Sequence, residues 1–494
     1  MKDTRFDIPN IIDNSSSKSP VMIQTSDDVT NGQDKCPKCG ATDISLDVSS
    51  GKLRCNFCRY EFVSQSVMGL ESDISKLDGV SITTGASSIL DSSSDMVTLK
   101  CSSCGSEVVI DTASSMQARC HWCRNTLSIN EQIPNGSVPD FVLPFSITKE
   151  EAQRVIEGFV SRRKFFAHPK FVEEFTTDNI MGVYFPYMLV DLNTHARLIG
   201  QGEKMVRRYT RGIGDSEEVY YDAEQYYVER SFDMAITDLS IESNSDRINN
   251  KSVQKTNNII NTIMPFDTEN CVRYNANYLK GYTSERRDLN VEQLKNIVDM
   301  QTKDIIRFRA NETLKEYDRG VCWNKEDVLI KGQQWKAAYL PVWLYSYQEI
   351  NEKKKILHYV AVNARTKEVM GSIPVHMPKL IGISLGVEIF GILLALFIDS
   401  KYNFLFLFLG VFYFLFIFLR YRNIYARHHY EVETKSCLSS LEKVDTFVTK
   451  KTGLSNPRIE GENSTSVHEV GILDKMLSSI SEENIVSKVV DDKK

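Results

Sequence analysis

Eight of the eleven cysteines stand in four Cys-x-x-Cys pairs, while Cys271, Cys322 and Cys437 stand alone. The pairs form two sets, Cys36/Cys39 with Cys55/Cys58 and Cys101/Cys104 with Cys120/Cys123, and fifteen residues separate the two pairs of each set. Thiolates at this spacing suit one chemistry. Four soft donors close a tetrahedron around zinc, each Cys-x-x-Cys turn supplying two of them while its amides point at the sulfurs. The spacing therefore predicts two structural Zn2+ ions. A site closed by four thiolates leaves no coordination position for water, so neither zinc is expected to be catalytic. Thioredoxin-like redox chemistry needs one such pair at a strand-to-helix junction of a larger domain, and four regularly paired motifs fit that poorly. His121 lies inside the second knuckle but is surplus to its four thiolates. Reduced, metal-binding cysteines also point to a reducing compartment.

Short hairpins must hold these turns. Residues 35–63 and 98–130 are the two expected ribbons, with Gly40 and Gly105 following a cysteine where positive φ helps the turn to close. A segment of about 30 residues has too little apolar surface to fold alone, so the metal is expected to contribute roughly 10–16 kcal/mol. Residues 1–34, rich in Ser, Asp and Asn, read as a disordered tail, and the Ser- and Gly-rich residues 64–97 read as a linker.

Residues 139–378 carry no cysteine pair and read as an α+β domain. Helical spacing covers residues 150–164 and 291–306, and strand-like runs cover 182–191, 219–228, 336–350 and 356–362. The region echoes itself. Pro144-Phe145 precedes Tyr184-Phe185-Pro186, and Pro265-Phe266 precedes Tyr339-Leu340-Pro341. A duplicated module is one reading, and two buried strands each opened by a proline is the other.

Residues 380–398 carry one chargeable group, Glu388, and residues 404–419 carry none. Together, over 380–421, they predict a transmembrane helical hairpin with a tight turn. Basic residues flank it on both sides (Lys353, Lys354, Lys355, Arg365, Lys367 and Lys379 before; Arg420, Arg422 and Arg427 after), whereas the loop carries only Lys401. The positive-inside rule then gives a multi-pass protein of the cell membrane with both termini cytoplasmic. Glu388 is expected to be protonated, paired or in an oligomer interface, and Gly382-x3-Gly386 would let a second copy approach closely. Residues 422–494 read as a cytosolic helical tail through Cys437, Leu441, Val444 and Val448. The fold class expected is thus multi-domain: two small four-cysteine zinc ribbons, an α+β middle domain and an α-helical transmembrane hairpin.

Cys36-Pro-Lys-Cys39-Gly40 with Cys55-x-x-Cys58, the set from Cys101, the Pro144-Phe145 helix entry, Tyr184-Phe185-Pro186 and Tyr339-Leu340-Pro341-x-Trp343-Leu344 resemble a family of bacterial membrane proteins with zinc ribbons of the transcription-factor-IIB type. Members are often labelled as resembling the primosomal replication factor Y helicase. The resemblance covers roughly residues 35–420. It implies the same eight metal ligands and, through relatives that resemble anchors for envelope-stress proteins, an adaptor role. This chain departs from the pattern with Arg59 and Arg124 after each final cysteine, where glycine is common, and with Ser102 where proline is common. No helicase motor is encoded, since the Gly51-Lys52 pair has Leu46 and Leu53 where a phosphate loop needs glycine and a hydroxyl.

The histidines are scattered and form no catalytic arrangement, so the chain is not expected to be an enzyme. A net charge of −6 gives no global attraction to polyanions, although Lys35, Lys38, Lys52, Arg54, Arg59, Lys100, Arg119 and Arg124 lie near the knuckles with Phe57 and Trp122. Two functions follow: a membrane-anchored adaptor that binds cytosolic proteins at the inner membrane face, or a membrane-tethered nucleic-acid-binding protein using the same ribbons. The partners expected are a lipid bilayer, a cytosolic protein or nucleic acid, and a second copy of the chain.

Overall fold

The computed structural model describes residues 20–23, 35–63, 73–89, 96–100, 107–111, 117–119, 126–128, 138–211, 218–244, 260–285, 287–351, 354–397, 406–422, 424–454 and 458–459. The amino-terminal part supplies β1 (Val21–Ile23), the ribbon strands β2 (Ile44–Asp47), β3 (Lys52–Cys55) and β4 (Glu61–Phe62), and then β5 (Gly79–Thr83). Two short hairpins follow, β6 (Met96–Lys100) with β7 (Glu107–Asp111) and β8 (Gln117–Arg119) with β9 (Thr126–Ser128). Strand β10 (Phe141–Val142), α1 (Lys149–Ser161) and α2 (Pro169–Glu174) lead into the long pair β11 (Met181–Arg211) and β12 (Glu218–Glu242). After β13 (Val272–Arg273) and β14 (Thr283–Ser284), α3 (Val291–Glu312) precedes β15 (Val321–Asn351), β16 (Lys354–Asn363) and β17 (Val369–Gly371). Helices α4 (Met377–Phe397), α5 (Leu409–Arg422) and α6 (Ile424–Leu438) carry the chain to β18 (Ser439–Leu454) and β19 (Arg458–Ile459).

One sheet dominates, with the path β1-β5-β15-β11-β12-β18. Strand β11 lies antiparallel between β15 and β12, and the two Tyr-x-Pro motifs are partners: Tyr184 faces Pro341, Phe185 faces Leu340 and Pro186 faces Tyr339. The sequence echo is thus a local two-fold relation between neighbouring strands. Side chains alternate across the sheet because successive residues point to opposite faces. Val183, Phe185, Tyr187 and Leu189 pack with Leu340, Phe266 and Cys271 on one face. On the other, α1 covers Tyr184 and Trp343, while α3 covers Met188, Leu192, Phe232 and Trp335. A capping box starts α1, with the Glu151 amide donating to Thr148 Oγ1 and the Thr148 amide donating to Glu151 Oε2.

Several expectations are corrected. Among the described residues strand outweighs helix, 42% against 33%; a sheet-rich middle domain fits the α+β expectation, but its one large mixed sheet also takes in strands from outside residues 139–378. The transmembrane hairpin is overturned. Met377–Leu396 is the one helix, among the described residues, long and apolar enough to cross a membrane, whereas Leu409–Tyr421 is a shorter apolar helix spanning about 20 Å against about 30 Å of hydrocarbon. The tail is not helical throughout, because after α6 it becomes β18 and extends the sheet beside β12, from Ile236↔Ser439 to Glu224↔Leu454. Within the predicted linker, β5 pairs with β15, and the buried Gly85 donates its amide to Asp140 Oδ1 at 2.9 Å. Of the predicted amino-terminal tail, Val21–Ile23 is a strand on β5.

Candidate metal centre

The first cysteine set converges. The four sulfurs of Cys36, Cys39, Cys55 and Cys58 lie within 4.8 Å of one another, with Cys36 to Cys58 and Cys39 to Cys55 each at 3.6 Å. All four thiols are free, and these separations far exceed the roughly 2.05 Å of a disulfide. They match the edge of a tetrahedron with Zn–S bonds near 2.3 Å, about 3.8 Å. This group can hold a metal ion.

Two near-identical turns build it. In the first, the Gly40 amide donates to Cys36 O and the Cys36 amide to Ala41 O; in the second, the Arg59 amide donates to Cys55 O and the Cys55 amide to Tyr60 O, all at 2.8–3.0 Å. Each turn needs a left-handed residue after its second cysteine. Gly40 has φ +73° and Arg59 has φ +60°, so the arginine occupies the conformation that glycine adopts freely. Burial pushes the Cys36 thiol up, but the amides of Cys39 and Lys38 and the neighbouring thiols bring it down to about 7. For Cys39 the Ala41 amide pulls downward, yet burial and the thiols of Cys58, Cys55 and Cys36 leave it at about 12. Four crowded sulfurs cannot all ionise alone, and a divalent cation would remove that conflict.

The ribbon is docked on the sheet. Ile44 and Leu53 are fully buried in the core that holds α1, Tyr184 and Trp343, and Lys280 Nζ donates to Ile44 O at 2.9 Å. Its other edge is open, with Phe57 at 81% exposure between Cys55 and Cys58 and Lys38 lying over the Tyr60 ring.

Cys101, Cys104, Cys120, Cys123, His121, Trp122 and Arg124 lie outside the described residues. Strands on either side of those cysteines are described. Arg119↔Thr126 and Ala118↔Leu127 reproduce, at the equivalent positions, the pairing Arg54↔Glu61 and Leu53↔Phe62 of the first ribbon. Leu127 is buried in the same core as Leu53.

One other group of potential ligands gathers among the described residues. His195, Asp233 and Asp445 bring ligand atoms within 4.8 Å, on β11, β12 and β18. Lysines already supply the positive charge there, Lys331 at 2.7 Å from Asp233 and Lys443 at 3.3 Å from Asp445. Asp191 is buried and 2.7 Å from Lys336, which also pairs with Asp238 at 2.5 Å.

The apolar helices form the second feature of interest. Glu388 on α4 accepts a hydrogen bond from the Gly410 amide at 2.6 Å, near the start of α5. A Cβ on Gly410 would meet Ser384 O at 2.3 Å, and one on Gly391 would meet Phe406 O at 2.3 Å, so small residues let the two helices touch. Gly382 and Gly386 face open space, as do Ile381, Leu385, Ile389, Phe390, Leu393, Phe412 and Phe416.

No protein-family model, curated protein or solved structure matches this chain.

Proposed function

We propose that the chain is a membrane-attached zinc-ribbon adaptor, in which α4 enters the inner membrane and the sheet presents ribbon edges to cytosolic proteins. The observation that carries this reading is one continuous structure holding both parts. The thiol cluster sits on the core that contains α1, and the same sheet receives the chain before α4 and again, at β18, after α6. That continuity supports a reading in which the sheet lies on one side of the membrane, and free thiols favour the cytoplasmic side. Zinc is the metal proposed, with Cys36, Cys39, Cys55 and Cys58 as one ligand set and Cys101, Cys104, Cys120 and Cys123 as a second. The family resemblance in the cysteine and Tyr-x-Pro motifs supports the same assignment.

Phe57 and Tyr60, exposed beside a rigid metal knuckle, are the proposed protein-contact residues. Cross-linking of the full-length protein in its own membrane, with Phe57→Ala and Tyr60→Ala alongside, tests the reading. Loss of specific cross-linked proteins in the variants supports it. Salt-sensitive retention on DNA that needs Arg54 and Arg59 instead, with unchanged protein cross-links, would favour the nucleic-acid alternative.

A further inference from the structure

The loop between α1 and α2 carries Arg162, Arg163, Lys164, Phe165 and Phe166, and the fold fixes it at the root of the apolar helices. The His376 amide donates to Phe166 O and the His168 amide to Pro374 O, each at 2.8 Å. Lys379 Nζ donates to Phe165 O at 2.7 Å. From the other helix, Tyr421 Oη accepts the Phe166 amide at 3.0 Å and donates to Arg163 O. Phe166, Leu380 and Tyr421 are buried together beneath this clamp. The loop is therefore held against the first turn of α4 and the last turn of α5 at once.

Outward from the clamp, Phe165 is 61% exposed with the Lys379 ammonium 3.9 Å above its ring, and Arg162, Lys164, Lys379 and Arg420 are all exposed. Among the described residues no carboxylate pairs with any of these four cations. Burial first, and then the nearby charges of Arg162 and Arg420, pull the Arg163 guanidinium down to about 10. An exposed aromatic with a cation over its ring and further cations on the same clamped loop and helix ends, at the foot of apolar helices, has the composition of a membrane interface, where rings sit at headgroup depth and cations meet phosphates.

We propose that Arg162 and Lys164 on the clamped loop, Lys379 over the Phe165 ring and Arg420 at the end of α5 form a collar that binds the phosphate headgroups of anionic lipids and seats the sheet on the bilayer. The inference rests on the reading of α4 as a membrane helix. The occupant is a lipid surface rather than a nucleic acid, because the cations lie at the ends of the apolar helices and on the loop clamped to them, and the exposed ring beside them is uncharged.

The test uses the full-length protein in phosphatidylcholine bilayers, with Phe165→Trp as the reporter and Leu385→Trp as a reporter on α4. Tail-brominated phosphatidylglycerol or tail-brominated phosphatidylcholine is added as the same minor fraction. The collar predicts that the indole introduced by Phe165→Trp is quenched more by the anionic lipid, that salt narrows the difference, and that Arg162→Gln and Lys164→Gln each weaken the preference roughly fivefold. Equal quenching by both lipids would overturn headgroup recognition. Quenching of the α4 reporter but not of the loop reporter would overturn the collar while leaving the membrane helix intact, and no quenching of either would overturn the membrane reading itself. A change in the loop reporter produced by an oligonucleotide and not by the anionic lipid would assign the collar to nucleic acid and overturn the proposal.

Discussion

Within residues 35–63 the buried hydrophobic side chains are Cys36, Ile44, Leu53 and Cys55, and two of these four are proposed metal ligands. Strands β11, β12 and β15, by contrast, bury whole alternating rows on both faces, with Trp335, Tyr184, Tyr187, Tyr339, Phe185 and Phe232 among the largest enclosed side chains. Both regions are antiparallel β-structure with similar local hydrogen bonding. What differs is the source of cohesion: with so little apolar area, the ribbon would take most of its free energy from ligand bonds if it holds the proposed zinc, whereas the sheet takes it from apolar area, at about 25 cal/mol per Å².

Metal removal separates the two regions most sharply. Chelation of the full-length protein, or Cys55→Ser, should remove roughly 10–16 kcal/mol from the ribbon. Amides of residues 44–62 should then exchange rapidly with solvent while those of β11 and β15 stay protected. Loss of protection in both regions together would show that the ribbon is an integral part of the sheet core and not a metal-held attachment to it.

The converse variant is Lys336→Met. Burial works against the Lys336 ammonium, but Asp191 and Asp238 hold it well above its usual range, and burial drives Asp191 up more than Lys336 pulls it down. Removing the amine leaves two carboxylates facing each other within the sheet, for an expected loss of about 3–5 kcal/mol in denaturant unfolding. Zinc content per chain should not change.

A smaller effect sharpens the ribbon side. Arg59 holds φ +60° in the turn where Gly40 holds φ +73°. Arg59→Gly should relieve roughly 1 kcal/mol of backbone strain and make the metal about fivefold harder to extract with a chelator. Gly40→Ala should do the reverse; no atom lies within 4 Å of the added Cβ, so the whole effect would be conformational.

The sequence made the ribbon legible because thiolate spacing is a direct geometric constraint, and it made α1 and α3 legible because a helix on a sheet shows its period of 3.6. Where partner strands matter it was less informative. Leu441, Val444 and Val448 fit a helical period, yet they lie in β18, whose pairing with β12 shifts register between Gln225 and Tyr226, between Ser231 and Phe232, and between Asp233 and Met234. Each shift resets the alternation of two, so the apolar residues lose the strand signature. The run of β-branched and aromatic residues Val444, Thr446, Phe447, Val448 and Thr449 was the remaining clue. Residues 404–419 were read as a span from composition, which records apolarity but not where the helix begins. The loop of the proposed collar was visible as Arg162-Arg163-Lys164-Phe165-Phe166, but its relevance depends on hydrogen bonds to residues more than two hundred positions away.

Strand β18 allows the finest distinction, because it joins the sheet by pairing and charge with little burial. Asp445 on it lies 3.7 Å from His195, which in turn lies 2.8 Å from Asp233 on β12. Partial burial raises the Asp233 carboxyl, but Lys331 and His195 outweigh this and hold it below its ordinary value. A depressed folded-state value means that the contribution is complete above the ordinary carboxylate range near pH 4 and disappears as pH falls through the lower folded value. Its size should be about 0.5 kcal/mol, typical of a part-exposed ion pair. Unfolding midpoints measured from neutral pH down into the acid range should therefore fall less steeply below about pH 4 in Asp233→Asn than in the parent chain. If Asp445 is part of the same network, Asp445→Asn should shift the neutral-pH midpoint while Asp233 is present and leave it unchanged in Asp233→Asn. Additive changes would mean that β18 is held by its backbone ladder alone, like the exposed rim of the ribbon and unlike the sheet interior.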